Sequence, residues 1–136
     1  IGAGHTNNDV FVHFPEQNLL HTGDLCFHDL HPFIDRPAGA TTEGWIRSCQ
    51  AMLDVCNDDT VVIPGHGAVG GPEVIRKQID YFEKTRDAVQ DAIDDGLDRD
   101  AVTLLTFEHF EGVGLEQLKE RVLGAIYDEL TGAPAP

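Results

Sequence analysis

The order of apolar and polar positions predicts a β-hairpin near the start of the chain. Residues 10–14 and 19–22 are rich in β-forming side chains, and a polar segment that contains a proline, 15–18, separates them. We therefore expect two antiparallel strands joined by a short turn. His5 precedes the first strand and Asp24 follows the second, so the hairpin would bring both to one edge of the sheet.

In the rest of the chain, apolar residues recur mostly at helical spacing, and one short apolar segment lies between the predicted helices. The first helix has Thr42 as a candidate N-cap, and residues 60–63 then form a buried strand. The second helix begins at Pro72 and ends at Gly96, and the last one ends at Gly132. A short further helix could form at 98–106, before the last of these helices. The apolar stripes of the three longer helices are, in chain order, Trp45, Cys49, Met52, Leu53 and Cys56; Ile75, Ile79, Phe82, Val89 and Ile93; and Leu115, Leu118, Val122, Ile126 and Leu130.

These elements predict an α/β fold in a single domain that covers residues 1–136. Residues 1–70 would hold the sheet, a loop and one helix, and residues 71–132 would form a helical tail. Helices would cover one face of the sheet, and the other face must pack on something. On the first strand, Val10, Val12 and Phe14 share one side, and Phe11 and His13 share the other. Because a layer of this size would expose apolar surface, we expect a second half or a second subunit to cover it.

The charge balance narrows the range of partners. The chain has 24 Asp and Glu residues against nine Lys and Arg residues, which gives a net charge of −15. Such a surface repels phosphate backbones and anionic lipids, so we expect a small-molecule substrate rather than nucleic acid or a membrane. A bound divalent cation would make one local site attractive to anions.

The cysteines and the first residue bear on the compartment. Cys26, Cys49 and Cys56 are odd in number and unevenly spaced, which does not indicate a disulfide framework. Reduced thiols fit a cytoplasmic location. Because the chain begins with Ile1 and its only methionine is Met52, we expect a preceding segment to be missing from this sequence.

Three polar residues are candidate metal ligands: His5, Asp24 and His66. Each lies beside a glycine, which lets the backbone turn sharply next to an ion with no Cβ in the way. Imidazole nitrogens and carboxylate oxygens are ligands of zinc. Since all three fall at the ends of predicted strands, at one edge of the sheet, their placement predicts a metal site.

The motifs around these ligands are similar to those of a known family. GHT at 4–6, TGD at 22–24 and VVIPGHG at 61–67, with a hairpin and a helix between them, resemble the second half of metallo-β-lactamase-fold hydrolases, the glyoxalase-II-like superfamily. The similar stretch covers residues 2–70. The resemblance implies half of an αββα sandwich, built from a β-hairpin, a helix, a strand and C-terminal helices.

The resemblance also implies a dinuclear zinc site. His5 would ligate the first ion, Asp24 would bridge both, and His66 would ligate the second, with a hydroxide between them attacking an ester, thioester, lactone or related bond. The family's HxHxDH motif, which supplies the other ligands, does not occur in this sequence. The isolated chain is therefore expected to be inactive, with partial zinc occupancy or none. Asp24 is typical of glyoxalase-II-like and other general hydrolases, whereas many true β-lactamases have another residue there.

Further residues near the predicted site have two interpretations each. His31 and His28 follow Asp24 in the chain, and they either line the substrate pocket or are ordinary loop or surface histidines. Thr6 either orients His5 through a hydrogen bond or caps the turn.

Two functions remain open at this point. The chain could be one part of a zinc-dependent hydrolase, completed by an N-terminal half. Alternatively, it could be a non-catalytic half-domain that forms a homodimer through its exposed sheet face and keeps the motifs as a relic. The oligomeric state and the metal content would separate the two.

Overall fold

A computed structural model describes residues 2–135 of the chain. Over those residues, three strands and four α-helices form one layer of sheet and one layer of helices. The strands are β1 (Val12–Phe14), β2 (Leu19–His21) and β3 (Val61–Ile63), and the helices are α1 (Thr42–Asp54), α2 (Glu73–Asp94), α3 (Arg99–Thr103) and α4 (Lys119–Thr131). The predicted α/β class is confirmed.

The sheet has the order β1-β2-β3. Strands β1 and β2 are antiparallel, with Val12 opposite His21, and β2 and β3 are parallel, with Leu19 opposite Val61. The predicted hairpin is confirmed, although β1 is shorter than the predicted segment 10–14. Because β2 and β3 are parallel, the turns that follow them emerge at the same edge of the sheet.

The core lies between the sheet and the helices. Leu20 and Val62 occupy the middle row of the sheet and are fully buried beneath the helices. Trp45 and Cys49 of α1 are also fully buried, and the Trp45 indole N–H donates a hydrogen bond to the Leu25 carbonyl at 2.7 Å. The apolar stripe of the first predicted helix thus fixes α1 against the segment that follows β2.

The cap of α1 differs by one residue from the prediction. Thr41 is the N-cap, and its hydroxyl accepts a hydrogen bond from the Gly44 N–H at 3.1 Å. Thr42 is the first helical residue instead, and its hydroxyl donates to Glu129 at 2.8 Å. Two adjacent threonines offer the same capping group, and the distant carboxylate of Glu129 decides which of them caps the helix.

Helices α2 and α4 form the rest of the helical layer, with α3 packed against α4. The predicted ends at Gly96 and Gly132 are confirmed, since both glycines follow their helices with positive φ angles, 84° and 73°. The last predicted helix starts later than expected, at Lys119. Leu115 has a φ of 57°, a left-handed conformation that separates the preceding turn from α4.

The outer face of the sheet carries apolar side chains that remain exposed. Val12, Phe14 and Val61 keep 48%, 44% and 42% of their surface accessible, and their rows alternate with the buried middle row. Val10, just before β1, is also exposed. We call these four residues the bare face. The alternation of the first strand predicts that Val12 and Phe14 share a side of the sheet, and what covers that side stays a prediction.

Within residues 2–135, the helices include none that combines the length and apolar character needed to cross a membrane.

Candidate metal centre

Two tight turns bring Asp24 and His66 together at the end of the parallel strand pair. Thr22 and Gly23 follow β2, and Pro64 and Gly65 follow β3. The Gly65 N–H donates to the Gly23 carbonyl at 3.0 Å, which extends the pairing of the strands into the turns. Both turns therefore present their next polar side chain at the same edge.

The close approach of these turns requires glycine at position 65. A Cβ there would lie 2.6 Å from the Gly23 carbonyl oxygen and 2.7 Å from Asp24 Oδ1, closer than van der Waals contact allows. Gly23 itself has a φ of 55°, in the left-handed region. Gly23 and Gly65 thus let the two turns approach each other more closely than residues with a Cβ would allow.

The carboxylate of Asp24 faces the imidazole of His66. Asp24 Oδ1 lies 3.2 Å from His66 Nε2, and the two side chains keep 49% and 47% of their surface exposed. The Phe27 ring stacks on the His66 ring with a centroid distance of 4.3 Å. The pair is therefore oriented from one side by an aromatic ring and is accessible from the other.

His5 lies in a separate turn near the same aromatic residues. Its ring is 6.3 Å from Phe27 and 5.5 Å from Trp45, centroid to centroid, and its Nδ1 atom is 3.6 Å from Asp9 Oδ1. Its side chain is largely buried. An imidazole that directs Nδ1 at a carboxylate leaves Nε2 available to a metal, a common arrangement of zinc-binding histidines.

Of the two interpretations of Thr6, its contacts are those of a residue that caps its own turn, and they reach Asp9 and Asn8. The Thr6 hydroxyl donates to Asp9 Oδ1 and the Thr6 N–H to Asp9 Oδ2, at 3.0 and 2.9 Å. Thr6 is therefore a positioning residue for Asp9, which in turn contacts His5. The same hydroxyl lies equally close, 3.0 Å, to Asn8 Oδ1, and it accepts a hydrogen bond from the Asn8 N–H at 3.3 Å.

The donor atoms are of the kinds that zinc binds, and those of Asp24 and His66 lie next to each other. Nitrogen and carboxylate oxygen are zinc ligands, and Asp24 and His66 already point at one another. In the part of the chain that the structure describes, no group of three His, Cys, Asp or Glu side chains is arranged to hold a metal ion. The structure thus brings together two of the three predicted ligands, with His5 close by in the turn beside Trp45.

His28 and His31 occupy different environments in the loop after Asp24. His28 hydrogen-bonds the Ala68 carbonyl through Nδ1 at 2.6 Å, and this contact ties the loop to the turn that contains His66. His31 is fully buried, so it is not the surface histidine that one interpretation expects. A role for either residue in a substrate pocket stays a prediction.

The His31 ring lies in an aromatic cluster inside the helical layer. Its Nδ1 is 2.6 Å from the Tyr81 hydroxyl, and its Nε2 has no hydrogen-bond partner among the described residues. Burial lowers the pKa of His31 and outweighs the opposing effect of Glu116, whose carboxylate lies 3.6 Å away. Burial also lowers the pKa of the neighbouring His109. The neutral imidazole is therefore favoured at both positions.

Two residues of the centre were missed at the level of sequence, namely Asp9 and Phe27. Asp9 lies four residues after His5 in a turn of polar residues, and this spacing was the available signal. Phe27 gave no signal, because its stacking on His66 depends on how the segment after β2 returns to β3 through the Phe27–His66 bridge.

Known proteins that resemble this chain are metallo-β-lactamases. No protein-family model matches it. A metallo-β-lactamase type 2 of Bacteroides fragilis is 29% identical over 89 residues, which are 62% of this chain and 36% of that protein. The chain thus spans just over a third of this curated relative.

Solved structures show the same likeness. The metallo-β-lactamase DIM-1 superimposes with a TM-score of 0.53 at 28% identity, covering 61% of this chain and 39% of that one. The metallo-β-lactamase FIM-1 from Pseudomonas aeruginosa, in its mono-zinc form, gives a TM-score of 0.53 at 26% identity, covering 61% and 37%. The chain therefore has a partial metallo-β-lactamase fold, matched over about 60% of its length.

Proposed function

We propose that this chain supplies one half of the active site of a zinc-dependent hydrolase of the metallo-β-lactamase superfamily. The observation that carries the proposal is the 3.2 Å approach of the Asp24 carboxylate to the His66 imidazole. Glycine turns at the ends of two parallel strands impose this approach. The resemblance to metallo-β-lactamases supports a hydrolase of that superfamily.

The residues of this chain have two proposed roles, which are to ligate the metal and to orient the ligands. Asp24, His66 and His5 would hold the metal, and the resemblance gives Asp24 as the ligand shared by two ions. Asp9 would hold the His5 ring by its Nδ1 side, and Phe27 would fix the plane of His66 by stacking. Zinc, when bound, lowers the pKa of water and polarises the oxygen of the scissile bond.

A second component must provide the remaining ligands. Three side chains cannot satisfy two zinc ions, since a zinc site uses about four ligands. The bare face of the sheet is where we place that component, because it is apolar and exposed beside the strands that end at the site. An N-terminal half with an HxHxDH motif fits this description, and small molecules rather than nucleic acid or membranes are the proposed substrates.

The scissile bond is proposed only as a class. The curated relatives are named metallo-β-lactamases, so β-lactams are among the substrates to test. Asp24 instead favours esters, thioesters or lactones, as in the glyoxalase-II-like hydrolases. A panel with one substrate of each kind would separate these choices.

The test uses the chain together with the polypeptide encoded immediately upstream of it. Metal analysis of the purified protein should find about two zinc ions per site, and the Asp24→Ala variant should lose turnover. Asp59→Asn, a change at an exposed aspartate outside the site, is the matched control and should keep both properties. Turnover that survives in the Asp24→Ala protein would show that the bridging role is wrong.

A non-catalytic homodimer is the alternative, and the exposure of Val12, Phe14 and Val61 is the observation that favours it. Two copies would then cover one another's bare faces. A light-scattering mass of twice 14.9 kDa with no zinc and no hydrolysis, even beside the upstream polypeptide, would support the dimer. The enzyme proposal predicts a heteromeric or single-chain assembly with zinc.

We further propose a cytoplasmic location, which the cysteines support. Cys26, Cys49 and Cys56 are free thiols, and the first two are buried in the core. A hydrogen bond with Cys26 and burial raise the pKa of the Cys49 thiol, which disfavours its reactive thiolate form. Cell fractionation with an antibody to the chain tests the location.

A further inference from the structure

Three arginines converge on a second pocket, which lies on the helical side of the molecule. The pocket has a volume of about 170 Å³ and is formed by the loop after β2 and by helices α3 and α4. Its charged lining residues are Arg36, Arg99, Arg121 and Asp128. Three guanidinium groups thus face one carboxylate in the lining, and Asp100 on α3 also acts on Arg99, in a chain whose net charge is −15.

Two of the three guanidinium groups, those of Arg36 and Arg121, are held in place by neutral contacts. Arg36 donates to the carbonyls of Ala40 and Ala133, and its Nε is buried without a hydrogen-bond partner. Arg121 donates to the Ile34 carbonyl and lies over the Phe33 ring at 4.0 Å. Carbonyls and an aromatic face orient these two cations without neutralising them.

Arg99 is the arginine of the pocket whose charge is paired with a carboxylate. It forms a bidentate pair with Asp128, with N–O distances of 2.9 and 3.0 Å. Gly124 gives it room, because a Cβ at that position would lie 2.6 Å from Arg99 Nη2. Asp128 raises the pKa of Arg99, so this side chain keeps its charge. Within residues 2–135, the arginines that form ion pairs are Arg47, Arg86 and Arg99.

We propose that this pocket binds a small dianionic oxyanion, a phosphate or a dicarboxylate. Planar guanidinium groups match the oxygens of either anion. Two uncompensated positive charges match a dianion in sign and in number. Ile34, Pro37 and Ala125 complete the wall with apolar surface, which leaves the arginines as the specific contacts. Since charges more than about 8 Å away are screened at physiological ionic strength, the three arginines and the nearby carboxylates of Asp100 and Asp128 set the local field, rather than the acidic surface as a whole.

The site is distinct from the proposed metal centre. Arg121, Ala125 and Asp128 share one face of α4, a helix that packs against α2 and α3 rather than against the strand ends. The proposal therefore does not depend on zinc or on hydrolysis. Loss of zinc binding would leave it intact, and failure of anion binding would leave the metal centre intact.

Calorimetric titration of the chain with inorganic phosphate, succinate and chloride at constant ionic strength tests the proposal. We expect saturable binding of one phosphate or one succinate, and the stronger of the two identifies the source of the oxyanion. Arg121 is exposed, so the Arg121→Gln variant should fold, and it should weaken binding by about tenfold or more through loss of a charge-assisted contact.

Two controls make the outcome decisive. Arg47→Gln removes an exposed arginine of α1 outside the pocket and should change the dissociation constant less than about twofold. Gly124→Ala should weaken binding by displacing Arg99, and its fold is checked by circular dichroism. Equal responses to phosphate and chloride, or equal losses in Arg121→Gln and Arg47→Gln, would overturn the proposal.

Discussion

Single side chains of this molecule show how burial decides protonation. His31 is enclosed by Tyr81, Phe110 and the polypeptide around Glu116, and no part of it reaches solvent. Taking an imidazole out of water disfavours its charged form more than one partly exposed carboxylate at 3.6 Å restores it. The consequence is a dependence of stability on pH.

We predict that the free energy of unfolding decreases as the pH falls below about 6.5, the ordinary pKa of histidine. The lowered pKa of His31 keeps it neutral in the folded chain, whereas the unfolded chain takes up a proton in this range. His31→Gln cannot titrate and should lose less stability between pH 7.5 and pH 5.5, measured by urea unfolding.

Tyr81→Phe is the matched control for this prediction. It removes the hydrogen-bond partner of His31 but leaves the imidazole in place, so it should lower stability at both pH values and keep the pH dependence. His109 contributes with the same sign, because its pKa is also lowered by burial. A His31→Gln protein with the full pH dependence of the parent would contradict the assignment.

Gly65 is a second position where a single residue determines stability, because the turn leaves no room for a Cβ. We predict that Gly65→Ala destabilises the chain by about 1–3 kcal/mol, because its Cβ would overlap the Gly23 carbonyl and Asp24 Oδ1. Gly2→Ala, whose Cβ would meet nothing within 4 Å, should have little effect. Thermal unfolding of the two variants measures the difference, and equal melting temperatures would show that the turn can relax.

At the level of elements, the helices follow their apolar stripes and their ends follow local chemistry. The stripe of α1 was predictable because Trp45, Cys49 and Met52 recur at helical spacing, and all three are fully buried. Helix α3 is shorter than the predicted segment 98–106, since Leu105 and Phe107 pack against the core from a non-helical segment. Apolar periodicity alone could not distinguish these two ways of burying the same residues.

The hydrogen bond that caps the N-terminus of α1 can be tested directly. Thr41→Ala should lower the free energy of unfolding by about 1 kcal/mol, because the Gly44 N–H loses its acceptor. Thr41→Ser keeps the hydroxyl and should retain most of the stability. Urea unfolding of both variants checks the cap, and an unchanged midpoint for Thr41→Ala would show that water replaces the threonine.

For the molecule as a whole, the sequence predicted the approach of Asp24 to His66 at one sheet edge better than the contacts around them. Asp24 and His66 were predictable as neighbours because each follows a glycine turn after adjacent strands. The Asp9 contact with His5 depends on the conformation of one turn, and the pairing of Thr42 with Glu129 spans 87 residues. Contacts of this kind follow from the packed tertiary structure, which local patterns do not encode.

The bare face gives a prediction for the isolated chain. We expect concentration-dependent self-association, since exposed apolar sheet surface is removed from water when two copies meet. Phe14→Lys should shift the light-scattering mass toward the monomer. Leu104→Lys changes an exposed leucine at the end of α3, away from the sheet, and should leave the mass unchanged. A monomeric parent chain at high concentration would contradict the expectation.

The position of the bare face also bears on when the protein could become active. The middle row of the sheet, Leu20 and Val62, is fully buried, whereas the bare face on the other side stays exposed. Under the proposed function, catalysis then requires the bare face to be covered by the part that carries the remaining ligands, whether that part belongs to the same polypeptide or to another. Withholding that part would leave a folded scaffold without turnover, and adding it would act as an on–off switch that alters no residue of this chain.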